Sequence, residues 1–371
     1  MAQRVKKLSK PLIFPLPSHL RDTSCANRRP VPGPIGRVSP DQTGSVLLIA
    51  FWALCLLTVF AIYLGYSVRQ KIVLIGRLNS RDSLHFISDA GVKQAIAELK
   101  KKEPSEYYAL NEAWSSNPAI FQQVNVGFGT FSVGYDYLDY HTGYQETRYG
   151  LVDEERKLNL NKAGLDEIAR LIMIVADFDI TEAQSLAAAI VDWRDSDSQL
   201  SIPLGSAEDR YYYNLHSSYE AKDADFEVFD ELLLVKGMSQ EVLDKLKNYI
   251  TIYGNGKVNI NTASSQVLLA LNLDDELVDK IIAFRCGRDK IEATSDDNIF
   301  NSSSNIVAEL NQFSPLSPSQ IAILSESVSA GKISTDSSNF MIRAVGQLDR
   351  FESQVICIVN REGKILSWKE G

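Results

Sequence analysis

The longest unbroken feature in the pattern of apolar and polar positions lies near the N-terminus. From Ser45 to Val68 the chain reads SVLLIAFWALCLLTVFAIYLGYSV, with no charged residue. As a helix this run extends about 36 Å, enough to cross a hydrocarbon core of roughly 30 Å. A secretory h-region covers only about 7–15 residues and ends at a small-x-small site. This run ends in GYSVRQK, so cleavage on its C-terminal side is disfavoured. The helical pattern then continues, because residues 69–102 contain neither proline nor a glycine pair. Ile72, Ile75, Leu78 and Asn79, then Phe86, Ala90, Ala95, Ile96 and Leu99, fall near three- and four-residue spacings. Lys100, Lys101 and Lys102 suit a helix C-terminus, and Pro104 stops it. The spacing predicts one helix over 45–102, about 87 Å long.

After this the period changes. Residues 124–152 alternate aromatic or β-branched positions with small and polar ones, and His141, Thr142 and Gly143 mark a turn, which predicts a β-hairpin. Residues 339–346, 353–360 and 364–368 form a second strand group, with turns at Asp349-Arg350 and Glu362-Gly363. Between the two groups lie about 180 residues of helical patterning. The predicted fold class is therefore α+β. A long N-terminal helix packs on a small antiparallel sheet, and a large α-helical domain is inserted between its strands.

The insert holds an imperfect repeat. LNLNKAGLDEIARLI (158–172) and VNINTASSQVLLAL (258–271) share an N-hydrophobic-N-x-A opening followed by a helix. Asn161 or Thr262 can cap the helix that begins there. The same opening occurs in helix-hairpin-helix modules, which hold DNA backbone through hairpin amides. Further on, LLLVKGMSQEVLDKL reads as helix, tight turn at Lys236-Gly237, and helix.

Charge decides against nucleic acid. The chain's net −9 hides a partition: residues 1–44 carry +6, whereas residues 158–330 carry 13 Lys/Arg against 28 Asp/Glu. A block at −15 repels phosphates, and no basic rim accompanies either repeat. The first 44 residues hold seven of the twelve prolines and no apolar periodicity, so they read as an unstructured extension. Of the four cysteines, Cys25 lies in this leader and Cys55 in the apolar run. Cys286 and Cys357 can pair in an oxidising compartment or remain two buried thiols.

Hard metal ligands are densest at Asp192, Asp195 and Asp197, rejoined by Glu208 and Asp209 after a Pro/Gly loop. Calcium takes about 6–8 oxygens, and flexible acidic loops supply them, although this spacing is not an EF-hand. Asp195 and Asp197 lead the set, while Asp192 can instead belong to the preceding helix beside Trp193. Catalysis finds no such cluster. His19, His85, His141 and His216 are scattered, with no HExxH pair, no G-x-S-x-G elbow and no phosphate loop around Gly256-Lys257. No enzymatic activity and no organic cofactor are expected.

A polar stretch ending in Gly44, an abrupt apolar start and an amphipathic continuation resemble a type IV pilin-like N-terminus. Further landmarks follow in order: HFISDAGVKQAIAEL (85–99), DEERKLNLNKA (153–163), AAAIVDWRDSDS (187–198), GSAEDRYYYNL (205–215), FDELLLVKGMSQEVLDKL (229–246) and VNINTAS (258–264). Together they resemble the minor pseudopilin K family of type II secretion. The resemblance implies a pilin-like body and prepilin-peptidase cleavage between Gly44 and Ser45, with methylation of the new N-terminus. It divides the chain into a leader (1–44), a transmembrane helix (45–68), a stem helix with first strands (69–157), an inserted domain (158–335) and C-terminal strands (336–371). Most pilin-like proteins place Glu at mature position five, where this chain has Ile49. A carboxylate in the bilayer must pair, and a subunit lacking it suits a filament end rather than a repeated position.

The resemblance further implies calcium in the insert and a role at the tip of the pseudopilus in exporting folded proteins. Implied partners are the I, J and H minor pseudopilins, the prepilin peptidase and the inner-membrane assembly platform. It also implies a single pass through the inner membrane, N-terminus cytoplasmic and soluble domain periplasmic. The positive-inside rule alone is nearly balanced, because Arg28, Arg29 and Arg37 precede the span and Arg69, Lys71, Arg77 and Arg81 follow it. A leader of 44 residues is long for a prepilin, and a non-Met start such as Val38 would shorten it. The alternative function is a membrane-tethered DNA-binding protein using the helix-hairpin-helix-like repeats.

Overall fold

The computed structural model describes residues 43–102, 107–138, 145–203 and 205–371. The leader up to residue 42, Pro104 and the turn expected at His141, Thr142 and Gly143 lie outside them. The chain divides into two compact units, one ending at Gln70 and one spanning Lys71–Gly371. In the first, the helix beginning at Thr43 carries the apolar run with its side chains uncovered: Leu47, Trp52 and Ile62 are all exposed. Among the described residues this is the helix long and apolar enough to cross a membrane.

In the second unit the helix runs on to Lys101, where Lys100 and Lys101 occupy its last turn as expected. Its buried face is Leu84, Ile87, Ser88, Val92, Ala95 and Leu99, spaced so that one side faces inward. Gly91 sits on that side, and a Cβ there would lie 3.1 Å from the Phe131 ring and 3.2 Å from the Ala344 methyl. The absent side chain lets helix and sheet approach closely.

The strands in chain order begin with β1 (Val124–Val126), β2 (Gly129–Val133), β3 (Tyr135–Leu138), β4 (Gln145–Arg148) and β5 (Val152–Asp153). Then come β6 (Leu158–Asn159), β7 (Ile250–Thr251), β8 (Val258–Asn259) and β9 (Ile333–Ser334). The last are β10 (Asn339–Leu348), β11 (Phe351–Asn360) and β12 (Ile365–Glu370). The main antiparallel sheet has the order β1-β2-β10-β11-β12, and β5 pairs with the start of β10. Phe340, Ile342 and Ala344 of β10 and Val355, Cys357 and Val359 of β11 alternate onto the face that meets the helix. Both expected late turns are present, with Asp349 and Gly363 at positive φ. The expected early hairpin is found as β3–β4, but the same stretch also makes a second hairpin, β1–β2, turning at Gly127. The architecture is α+β and pilin-like, with a helical region inserted between β5 and β10.

The insert has its own core, including Ile168, Leu186, Trp193, Leu268 and Ile281. It is not wholly helical. Two short parallel pairs, β6–β7 and β8–β9, fasten its two halves. Each half is a helix pair: Leu165–Ala176 with Ile180–Arg194, and Ser265–Ala270 with Asp275–Arg285. The turn at Lys236-Gly237 is present, with Gly237 at φ +85°, though the segment before it, Phe229–Leu234, is a 3₁₀ helix.

The repeat is real, but its polar residues do different work from that expected. The helix caps are Gly164 and Ser264, not Asn161 and Thr262. Asn161 instead accepts from the Phe226 amide and donates to the Phe226 and Ile252 carbonyls. Asn261 grips Phe300 N–H and C=O in the same two-point way. Arg194 and Arg285, each closing the second helix of its pair, donate to the carbonyls of Ala163 and Ala263. These side chains satisfy backbone groups that irregular buried loops leave without partners. Thr262 is turned away to Asp153.

No Cys286–Cys357 disulfide is formed. Cys286 belongs to the core of the insert and Cys357 to that under the sheet, and Cys357 is a buried thiol, whose pKa burial pushes up to about 12.

Candidate metal centre

The helix Ile180–Arg194 ends at Asp195, whose amide still donates to the Val191 carbonyl. The loop beyond is folded by its own side chains. Gln199 donates its amide to Asp197, and Ser201 donates its amide to Oδ1 of Asp192 at 3.0 Å. Lys236 then anchors the far end, its Nζ 3.1 Å from the carbonyls of both Gly205 and Ser206. Trp193 packs edge-on against Tyr212, ring centroids 5.1 Å apart, which fixes the helix end against the short helix Asp209–Tyr213.

This arrangement brings Asp195, Asp197 and Glu208 together. Each offers a carboxylate oxygen within 4.8 Å of the others. Asp192 lies fully buried beneath them, with Oδ2 unpartnered, and Asp195 Oδ1 and Glu208 Oε1 are likewise buried without hydrogen bonds. Asp209 is not in the group, because its Oδ1 accepts from the Ala221 amide at 2.8 Å.

The carboxylates crowd one another electrostatically. Burial first, then the charges of Asp192, Asp195, Asp223 and Asp209, push Glu208 up to about 7. Burial also raises Asp195, followed by its neighbours Asp197 and Asp192, with Arg194 opposing. Buried carboxylate oxygens without donors are costly. A divalent cation with oxygen preference removes both the repulsion and the unmet bonding. Asp223, which adds to this field, was not singled out from sequence because thirteen residues separate it from Asp209.

A second acidic trio, Asp289, Asp296 and Asp297, also gathers its oxygens within 4.8 Å. Its needs are met internally. Asp296 accepts from the Thr294 hydroxyl and from the amides of Arg288 and Asp289, which hold it down at about 2, and Asp297 accepts from Ala293 and Thr294. It is a hydrogen-bonded turn.

The junction between body and insert is a further polar centre, visible in the sequence only as the DEER landmark at 153–156. Asp153 is buried and its carboxylate accepts from Glu155 N, Asn259 Nδ2, Thr262 Oγ1 and Ser337 Oγ. Glu155 accepts from both the amide and the side chain of Asn339, and Glu154 from Lys157 and Thr251. These acids hold four segments of the chain together.

Residues 151–255, which contain the junction acids Asp153, Glu154 and Glu155 and the acidic loop, match the family model described as type II secretion system, protein K. The chain is 24% identical to the type II secretion system protein K of Pseudomonas aeruginosa over 277 residues, covering 69% of this chain and 75% of that one. A shorter stretch of 98 residues is 38% identical to the protein K of Aeromonas hydrophila, covering 25% of this chain and 29% of that one. In these stretches the chain is similar to the type II secretion system protein K family. Among solved structures, it resembles a chain of the GspK-GspI-GspJ complex from the type 2 secretion system of enterotoxigenic Escherichia coli, with a TM-score of 0.60 and 17% identity. That match covers 80% of this chain and 98% of the other. The long apolar helix found among the described residues is consistent with one membrane anchor.

Proposed function

We propose that this protein stands at the tip of the pseudopilus, where it joins I- and J-type minor pseudopilins, with the H type below, and helps start filament assembly for the export of folded proteins. The observation that carries the reading is the extent of the fold match, 98% of a chain from a complex named for K, I and J. Ile49 in place of a bilayer carboxylate fits an end position, since the subunit lacks the group that would pair with the next one. An insert as large as the body suits a place without a successor above it. Processing falls between Gly44 and Ser45, leaving Ser45 N-methylated. The anchored chain keeps its N-terminus on the cytoplasmic side and its folded domain in the periplasm, in contact with the prepilin peptidase and the inner-membrane platform during assembly.

Asp195, Asp197 and Glu208 form a calcium site, with buried Asp192 behind them and Asp209 fixing the loop. Calcium supplies charge compensation there and ties the 195–208 loop to the helix end.

Co-expression with I- and J-type pseudopilins followed by purification through this chain tests the tip assignment. Recovery of a three-protein complex supports it; recovery of this chain alone, or of tight salt-sensitive DNA binding, overturns it. N-terminal sequencing of membrane-extracted protein should begin at Ser45. A mature chain starting at Met1 or after Val68 would sink the pilin route.

A further inference from the structure

Lys236 lies outside the acidic cluster, yet it holds the chain on both sides of Glu208. Its own seat is firm. The next residue, Gly237, turns the chain at φ +85°, and a Cβ there would lie 3.6 Å from the side chain of Leu186. Leu186 belongs to the helix Ile180–Arg194, the one that carries Asp192 and ends at Asp195. From this turn the half-buried Lys236 donates its Nζ to the carbonyls of Gly205 and Ser206, three and two residues before Glu208. Its backbone amide donates to the Tyr212 hydroxyl at 3.3 Å, four residues after Glu208. The ammonium also stands 5.0 Å from the centroid of the Tyr211 ring. Tyr212 is fully buried and meets Trp193, which follows Asp192 directly. The two segments that bear the acids are therefore joined through Lys236, Tyr212 and Trp193.

We propose that Lys236 is a positioning residue of the acidic centre: by fixing the chain before and after Glu208 it holds that carboxylate against Asp195 and Asp197, and so sets the affinity for calcium. Repulsion works against this placement. The charges that act most on Glu208 are those of Asp192, Asp195, Asp223 and Asp209, and Lys236 is not among them. Its part is therefore played through hydrogen bonds to the backbone, not by neutralising the acids. The helix that follows Glu208, Asp209–Tyr213, is too short to hold its own start in place. Calcium takes its oxygens at about 2.3–2.6 Å, so a Glu208 that swings away is lost as a ligand. Groups that orient metal ligands without touching the ion are typically worth about 10–100-fold in metal affinity. This role rests on the calcium reading and adds to it a residue outside the cluster that governs how tightly the ion is held.

Calorimetric titration of the full chain in detergent micelles with calcium chloride gives the test, beside melting curves in chelator and in saturating calcium. Binding is assigned to this centre by its loss in Asp195→Asn/Glu208→Gln. Lys236→Met keeps an unbranched side chain and removes the ammonium donors, and it should weaken calcium binding roughly tenfold or more. Lys236→Arg, which can still donate to both carbonyls, should recover most of the affinity. A merely structural tether would lower the melting temperature equally with and without calcium and leave the dissociation constant unchanged, and that result overturns the proposal. If Lys236→Met does not fold, Tyr212→Phe decides. It keeps the ring and removes only the hydroxyl that takes the Lys236 amide, so it should still weaken calcium binding, and an affinity equal to that of the wild type overturns the proposal. Wild-type protein that binds no calcium would instead refute the calcium reading, and this role with it.

Discussion

Asn259 donates from Nδ2 to the Asp153 carboxylate at 3.0 Å, joining residues 106 positions apart in the chain. Asn259 also reaches the Tyr108 carbonyl and Ser337 Oγ, so one amide links the segment after the stem, the insert and the approach to β10. Asp153 collects four donors in a site with 1% exposure. Asp153→Ala would leave those donors buried and unmet, and unmet buried polar groups each cost about 1–3 kcal/mol. Chemical denaturation of the soluble part should show a loss of about 3 kcal/mol or more. A loss below about 1 kcal/mol would mean that the junction does not depend on this carboxylate.

Beside it, Glu155 gives the junction a pH dependence. Burial first, then the charge of Asp153, push its carboxyl up to about 8, against the opposing donors on Asn339 and Ser338. A raised folded-state pKa means that the native protein holds a proton the unfolded chain gives up. The stabilisation is complete below the ordinary carboxylate pKa of about 4.5 and is lost as pH rises through about 8. Melting temperature should therefore fall between pH 5 and pH 8.5, more steeply than in Glu155→Gln, whose side chain holds no titrating proton. Parallel curves for the two proteins would refute this assignment.

For the acidic loop, added calcium should raise the melting temperature. A ligand at one hundred times its dissociation constant stabilises by about 2.7 kcal/mol, and for a domain of this size that corresponds to roughly 5 °C. Asp195→Asn combined with Glu208→Gln should abolish the shift and, by removing charges that repel one another, melt no lower than the wild type without calcium. A calcium shift that survives the double substitution would place the ion elsewhere, with the Asp289, Asp296 and Asp297 turn the next site to examine.

How much of this was legible in the sequence depended on whether the signal was local. The apolar run, the stem and the late strands were readable because each is specified by its own period, 3.6 or 2.0. That Asp195, Asp197 and Glu208 come near one another was readable because the first two lie two positions apart in the loop and the third closes it. Asp153 was not, since its partners Asn259, Thr262 and Ser337 lie more than a hundred residues away and nothing near Asp153 announces them. Asn161 and Thr262 were misread for a related reason. A polar residue shortly before a helix is usually a cap, but Gly164 and Ser264 take that position, and tertiary contacts claim the other two. The second early hairpin was missed because Gly127, at φ +59°, turns the chain inside what looked like one continuous strand.

The two halves of the insert offer a matched comparison. Asn161 and Asn261 each clamp both backbone groups of one distant residue, Phe226 and Phe300. Asn261 is 3% exposed and Phe300 is fully buried, whereas Asn161 is only partly buried, near the rim. Water can replace a lost bond at the rim but not in the interior. Asn261→Ala should therefore cost about 2–3 kcal/mol and Asn161→Ala about 1 kcal/mol. Hydrogen exchange at the two clamped amides separates the sites directly: Phe300 N–H should lose protection strongly in Asn261→Ala, and Phe226 N–H only modestly in Asn161→Ala. Equal losses at both positions would show that burial does not set the strength of the clamp, and that the halves are equivalent in energy as well as in form.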